Sequence, residues 1–336
     1  MIKRIFGAAI VGAALIVPAA TAQAGIPASG IPSFSDSSDT TVASGRGSAP
    51  DKAARAADGW QRVGDGITSG LSGIVVDGRD GAAVDTLAVR DNKNAGENRL
   101  VAVRYSPDAA PQAHPLTWSG EQPVDLEAID AVPGKDGQYD GQYVALSSSG
   151  TGYRIQRSGD TVRVLHEFRL PGVSSDGKDA NYEGFALTSK NGEVTAVWAD
   201  RGEGDRPAKL SAAQWNPKTN EFGKRDSAEF SVPYPAEDVR HISDVKISAS
   251  GALIVSSASD PGDDGPFDSA LYAAGSVSAD GEAAELDVSD SPQRLGTFTG
   301  HKIEALACLP DSDKGILGTD DENDGGSVTS AAFCRP

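Results

Sequence analysis

Cysteine, histidine and positive charge are all scarce in this chain. Only Cys308 and Cys334 and four histidines occur among 336 residues. Two cysteines form no thiolate-nucleophile or zinc pattern, and so few imidazoles weigh against zinc as the main metal. Lys and Arg number 30 against 48 Asp and Glu, a formal charge of −18. Nucleic acid and anionic membranes repel such a chain, which points instead to solubility and an affinity for cations. No apolar stretch of membrane-spanning length follows the N-terminal run, so no membrane insertion is expected. A sustained helical period with caps is also missing. No G-x-S-x-G elbow surrounds Ser147–Ser149 or Ser256–Ser257, which makes a serine esterase remote. No loop fits the twelve-residue EF-hand pattern. Nothing marks an oligomer interface, and a monomer is expected.

The N-terminus carries a recognisable order. Lys3 and Arg4 precede an apolar run from Ile5 to Val17, then Pro18 and the small-residue triplet Ala22, Gln23, Ala24. That pattern predicts a secretory signal peptide over residues 1–24, and hence a secreted protein or one of the cell envelope. Residues 25–57 are mostly Ser, Gly, Ala, Thr and Pro and are expected to be a flexible leader. The folded domain is expected over 58–336. In an exported chain, two cysteines close to the C-terminus are expected to form one disulfide.

One segment recurs five times, as LSGIVV, LEAIDAV, YEGFALT, SDVKIS and IEALAC. Leu71, Leu126, Tyr182, Ser243 and Ile303 are the matching positions, with separations of 55, 56, 61 and 60 residues. A second apolar run follows each segment, for example TLAVRD at 86–91 and VTAVWAD at 194–200. A third run follows in every unit and a more polar fourth in the first four, all short and bounded by turn residues. Four strands per unit and five units predict an all-β β-propeller of about five four-stranded blades. The last unit runs out of chain before its fourth strand. GWQRVGD (59–65), ahead of the first repeat, is expected to supply it and close the ring. Six blades, or a pair of sandwiches, are the alternatives.

The repeat aligns side chains as well. One residue after each matched position come Ser72, Glu127, Glu183, Asp244 and Glu304. First strands line a propeller's axis, so these acids are expected to converge in the channel. Clustered carboxylates cannot all stay ionised and unpaired. A cation, Arg and Lys partners, or protons must neutralise them. A second acidic tier ends the second strand or follows it, at Asp91, Asp200, Asp260, Asp320 and Asp321, with Ser148 in blade two. Nearby stand Lys93, Arg201, Glu322 and Asp324. Oxygen-rich loops of this kind suit Ca²⁺. His241 and His301 each lie three residues ahead of their blade's acid, beside Arg240 and Lys302. Such a rim can hold a phosphate ester and donate a proton to its leaving group. The plainer alternative is that these histidines steady loops, and that inner-strand acids bond to backbone and water.

The succession LSGIVV…LAVRDN, DLEAID, NYEGFAL, ISDVKI…LIVSSASD and KIEALA…LGTDDEND resembles the phytase-like domain family, the esterase-like activity of phytase family of exported bacterial proteins. The likeness spans about Gly70 to Asp324. It implies a propeller-like fold and hydrolysis of phosphate or carboxylate esters. The family's acidic positions carry over to Glu127, Glu183, Asp244 and Glu304 as metal ligands, with Asp91 and Asp320 as the acids that close a second strand. Ser148 and Ala258 depart from that pattern. The expected site thus has Glu127, Glu183, Asp244, Glu304 and Asp320 on Ca²⁺, with His241, His301 and Lys302 in catalysis. Arg201, Arg240, Asp91 and Asp200 are expected to contact a small phosphate or ester ligand. The competing expectation is a non-catalytic cell-surface propeller that binds a ligand or partner and carries a structural cation.

Overall fold

The computed structural model describes residues 59–134, 139–173, 181–280 and 283–336. The expected signal peptide and the leader over 25–57 lie outside the described residues. Among those described, no helix is long and apolar enough to cross a membrane.

Among the described residues, twenty-two strands form five sheets. Strand β1 is Gln61–Gly64. Blade one follows with β2 (Gly73–Asp80), β3 (Ala83–Val89), β4 (Leu100–Ser106) and β5 (Ala109–Pro115). Blade two contains β6 (Thr117–Ser119), β7 (Leu126–Pro133), β8 (Tyr139–Ser147), β9 (Thr151–Ser158) and β10 (Thr161–Arg169). In blade three are β11 (Tyr182–Lys190), β12 (Glu193–Asp200), β13 (Ala208–Asn216), β14 (Glu221–Phe222) and β15 (Asp226–Phe230). Blade four has β16 (Val239–Ile247), β17 (Ala252–Ser259), β18 (Asp268–Asp280) and β19 (Ala283–Thr299). Blade five has β20 (Ile303–Cys308), β21 (Lys314–Thr319) and β22 (Gly326–Ala332). The protein is a five-bladed β-propeller.

The inner strands β2, β7, β11, β16 and β20 pack in that order around the axis, and β20 returns to β2. Each carries apolar side chains toward both neighbouring blades. The core accordingly divides into five buried clusters, each filling the space between two adjacent blades. Ile74, Leu126, Ile129, Phe185, Ile242 and Leu306 are fully buried in or beside them. Small residues let the inner strands approach. A Cβ on Gly73 would stand 2.8 Å from the Ala128 Cα, and one on Gly184 2.9 Å from the Val245 amide nitrogen.

Ring closure occurs as the sequence suggested. Strand β1 pairs antiparallel with β22, with Gln61 opposite Val328, and so completes blade five. Trp60 stacks on His301 at 4.3 Å between ring centroids, which anchors the incoming chain. Cys308 and Cys334 form a disulfide within the same blade, their Cα atoms 5.6 Å apart. Two blades exceed four strands. Strand β6 adds to β10 in parallel, and β14 and β15 share the outer edge of blade three.

Register corrects one expectation. The β-ladder breaks at Glu127, Glu183 and Glu304, each sitting in a bulge beside a regular pair. The first regular pairs after the break are Ala128 with Leu146, Gly184 with Ala199, and Ala305 with Gly318. In blade four the corresponding pair is Asp244 with Ser256. Ser243, not Asp244, is therefore the counterpart of the three glutamates. The blade spacing is even in either frame, so the repeat alone could not separate neighbouring residues. Only strand pairing does.

Candidate functional site

The bulges turn Glu127, Glu183 and Glu304 toward one end of the channel, where a cavity of 490 Å³ opens. A bulge leaves one residue unpaired and re-aims its side chain, which is how acids emerge from strands otherwise filled with core residues. The loops after β3, β12, β17 and β21 complete the wall. They bring Asp91, Lys93, Arg201, Asp260, Asp320 and Glu322 to the same cavity, and Asp125 precedes β7 there. Eight of the residues expected from the sequence meet at this place: Asp91, Glu127, Glu183, Arg201, Arg240, Lys302, Glu304 and Asp320.

Charge is unevenly spread around this mouth. On the side of blades three to five, cations and carboxylates interleave. Arg240 donates to Glu304 Oε1 at 2.7 Å and to Asp260 Oδ2 at 2.5 and 2.9 Å, and lies 3.8 Å from Glu183. Lys302 Nζ is 3.2 Å from Glu304 and also pairs with Glu322. Arg201 approaches Glu183 at 3.4 Å. Burial alone would lower the pKa of Arg240, but Glu183, Glu304 and Asp260 overcome it and hold the guanidinium charged. Lys302 is likewise pushed up, by Glu304 and Glu322, against its own burial.

Blades one and two present the opposite balance. Asp91, Asp125 and Glu127 place carboxylate oxygens within 4.8 Å of one another. Lys93 is the one cation within ion-pair distance of them among the described residues, 3.0 Å from Asp125 and 3.7 Å from Asp91. Glu127 is only 7 % exposed and makes no hydrogen bond or ion pair among the described residues. Burial, followed by the nearby charges of Glu183, Asp125 and Asp91, raises its pKa well above the usual range. Burial and Glu304 push Asp91 up to about 6. Asp320 is raised well above the usual carboxylate range, through burial and then Glu304 and Asp91. Glu183 is raised to about 7, burial and Glu304 outweighing its two arginines.

Four expected site residues lie elsewhere. Asp244 is fully buried among the strands, where Oδ1 accepts from the Val245 amide at 2.7 Å and Oδ2 from Leu306 at 2.8 Å. It ties blade four to blade five and does not face the cavity. His241 accepts from the Val232 amide through Nδ1 at 3.2 Å and donates to the Gly204 carbonyl through Nε2 at 2.8 Å. His301 bonds to Asp321 at 2.8 Å beneath Trp60. Asp200 accepts from the amides of Asn181 and Gly202 and from Arg206, closing its own loop. Partners outside the cavity capture each side chain, backbone groups for Asp244, His241 and Asp200 and the Asp321 carboxylate for His301, and spacing along the chain does not reveal such partners. Both histidines thus follow the plainer expectation.

Sequence reasoning missed Asp125. It sits at φ 63° directly before β7, where blade five has Lys302. A signal was present, since the residues before two other matched positions, Asn181 and Lys302, also line the cavity. Lys246 was missed too. It crosses the channel further along, donating to the carbonyls of Ile129 at 3.0 Å and Phe185 at 3.3 Å.

A five-bladed propeller with a charged, divided channel mouth is the class these features define. No protein-family model matches the chain, and no curated protein is similar to it in sequence. Solved structures resemble it in form. A glycoside hydrolase aligns over 80 % of this chain with 10 % identity and a TM-score of 0.46, and the chain spans 62 % of that protein's length. An exo-1,5-α-L-arabinanase from a bovine ruminal metagenomic library shares 9 % identity over 80 % of this chain and 95 % of its own, at a TM-score of 0.45. An α-L-arabinanase from Penicillium chrysogenum, solved with arabinobiose, gives 10 %, 81 %, 97 % and 0.41 for the same measures. Likeness at this level says nothing about activity or substrate. The resemblance to the phytase-like family is matched here only in its propeller-like fold.

Proposed function

We propose that the channel mouth hydrolyses a phosphate ester with the aid of a divalent cation. One observation carries the reading: a single cavity has a carboxylate wall short of positive charge facing a wall with three cationic side chains. Asp91, Asp125 and Glu127 would hold the cation, and Asp320 adds charge beside them. Their oxygen-only donor set suits Ca²⁺ rather than a softer metal. Glu127, buried and without a hydrogen bond or ion pair among the described residues, fits such a group, because a carboxylate taken out of water needs a counter-charge. When bound, the cation would polarise a phosphoryl oxygen.

The chain's own residues supply the rest. Arg201, Arg240 and Lys302 face an anionic group from the opposite wall. A guanidinium matches phosphate in a two-pronged geometry. Glu183, with its pKa near neutrality, is protonated in part at pH 7 and can pass a proton to a leaving oxygen. Ile67 is the only large apolar side chain on the cavity wall, and no aromatic ring lines it among the described residues. That favours a small, charged ester over a ligand held by ring stacking. Export is part of the same reading. The Cys308–Cys334 bond suits an oxidising compartment, and sequencing the N-terminus of protein recovered outside the cell tests it.

The test is turnover of p-nitrophenyl phosphate and inositol hexakisphosphate, with p-nitrophenyl glycosides as a comparison. Activity on the phosphate esters should vanish with chelator and return with CaCl₂. Glu183→Gln should lower kcat about a hundredfold, the lower bound for a positioned proton donor. Ca²⁺-induced stabilisation without any turnover would instead make the propeller a binding module. Turnover of a glycoside alone would overturn the ester reading.

A further inference from the structure

Lys93 stands where a cation would bind. Its ammonium approaches Asp125 Oδ1 and Asp91 Oδ2 at 3.0 and 3.7 Å, and these two acids share a 4.8 Å cluster with Glu127. The Lys93 side chain is 59 % exposed, whereas the acids beneath it are 31 % and 24 % exposed. It therefore covers the cluster from the solvent side. Its backbone is pinned, since the amides of Lys93 and Asn94 donate to the Glu97 carboxylate at 3.1 and 2.7 Å. Asn92 secures the same loop through the carbonyls of Asn98 and Thr68. The loop is thus fixed, and the four-carbon stem of Lys93 can swing without moving it. Glu127, 7 % exposed and without a hydrogen bond or ion pair among the described residues, leaves a demand for counter-charge beyond one ammonium.

We propose that Lys93 is a tethered counterion that occupies the carboxylate seat and is displaced by an incoming divalent cation, making it the residue that selects divalent over monovalent ions. The inference rests on the cation seat described under the proposed function. A monovalent ion entering the seat exchanges one unit of charge for another and expels an ammonium already hydrogen-bonded there. A divalent ion brings a second unit to three clustered carboxylates, where Coulomb attraction exceeds its value in bulk water. It can also take six to eight oxygen ligands, while an ammonium has three donors. An exposed lysine is cheaply displaced, because surface ion pairs contribute little.

Calorimetric titration of CaCl₂ into the chelator-stripped protein tests this, using wild type, Lys93→Met and Lys93→Arg, each also in added NaCl. Lys93→Met should bind Ca²⁺ about threefold to fivefold more tightly than wild type, the scale of an exposed ion pair, and lose part of that gain as NaCl is raised. Lys93→Arg, which keeps the charge, should stay close to wild type. Wild type and Lys93→Met binding Ca²⁺ with equal affinity, or the variant more weakly, would overturn the counterion role while leaving the seat in place. Absence of Ca²⁺ binding in all three proteins would overturn both the seat and the role of Lys93. Circular dichroism of each variant verifies that the exposed substitution leaves the fold intact.

Discussion

Replacing Arg240 by Met should destabilise the protein strongly at alkaline pH and weakly at acid pH. The Arg240 side chain is 13 % exposed and serves three carboxylates, bonding Glu304 at 2.7 Å and Asp260 at 2.5 and 2.9 Å, with Glu183 at 3.8 Å. Removing one partner from a buried ion pair costs roughly 3–5 kcal/mol. Lys302 and Arg201 remain beside Glu304 and Glu183, so a value near the lower end, about 3 kcal/mol, is expected at pH 8. That is a large share of a typical total of roughly 5–15 kcal/mol. Loss of the guanidinium removes a charge that lowers the folded-state pKa of Glu183, which burial already raises to about 7. A carboxyl with a raised folded pKa binds a proton in the folded state after the unfolded chain has released its own. Stability then falls as pH rises from the unfolded value toward the folded one. At pH 5 the Glu183 carboxyl is largely protonated and no longer an orphaned charge, so the cost should be clearly smaller than at pH 8. Urea unfolding of both proteins at pH 5, 6, 7 and 8 provides the comparison. A cost below 1 kcal/mol at pH 8, or one independent of pH, would refute the account of this wall.

Other expectations can be checked on the same protein. Breaking the disulfide with Cys334→Ala releases a loop with a sequence separation of 26 residues, for which chain entropy gives a loss of about 3.5 kcal/mol; an unchanged urea midpoint under non-reducing conditions would contradict it. Gly184→Ala should cost about 1–3 kcal/mol by overpacking, because the new Cβ meets the Val245 backbone of the next blade, and a thermal melt shifted by less than a degree would show that the blades can yield. Burial raises Asp244 to about 7 against the pull of Lys246, so its contribution to stability should fall as pH climbs from about 4 to 7, by at most roughly 1.4 kcal/mol per unit. Asp244→Asn should flatten that part of the pH profile, and parallel profiles for the two proteins would count against the assignment.

The architecture was legible in the chain because it is written periodically. Apolar runs at even spacing mark strands, and five similar units mark blades. A unit short of one strand and a spare strand ahead of the first repeat together predict the closure that β1 makes with β22. The pairing of Cys308 with Cys334 needed only a count. Glu127, Glu183 and Glu304 were also readable, since an acid in the middle of an apolar strand stands out against the pattern.

What the chain alone left open depends on a single residue of register and on partners far away in sequence. Ser243 and Asp244 fit the repeat equally well until the ladder pairs Asp244 with Ser256 and the Leu306 amide claims its carboxylate. His241 and His301 sit at matching positions, yet Val232, Gly204, Asp321 and Trp60 hold them away from the cavity wall. Asp125, by contrast, enters the cavity because a left-handed turn at φ 63° sets its direction. The sequence by itself determined the five blades, their closure and the acidic character of the channel, all of which depend on local pattern and composition. Tertiary structure alone decided which acids share a wall and which cations neutralise them, because burial and Coulomb interaction act between side chains that only folding brings together.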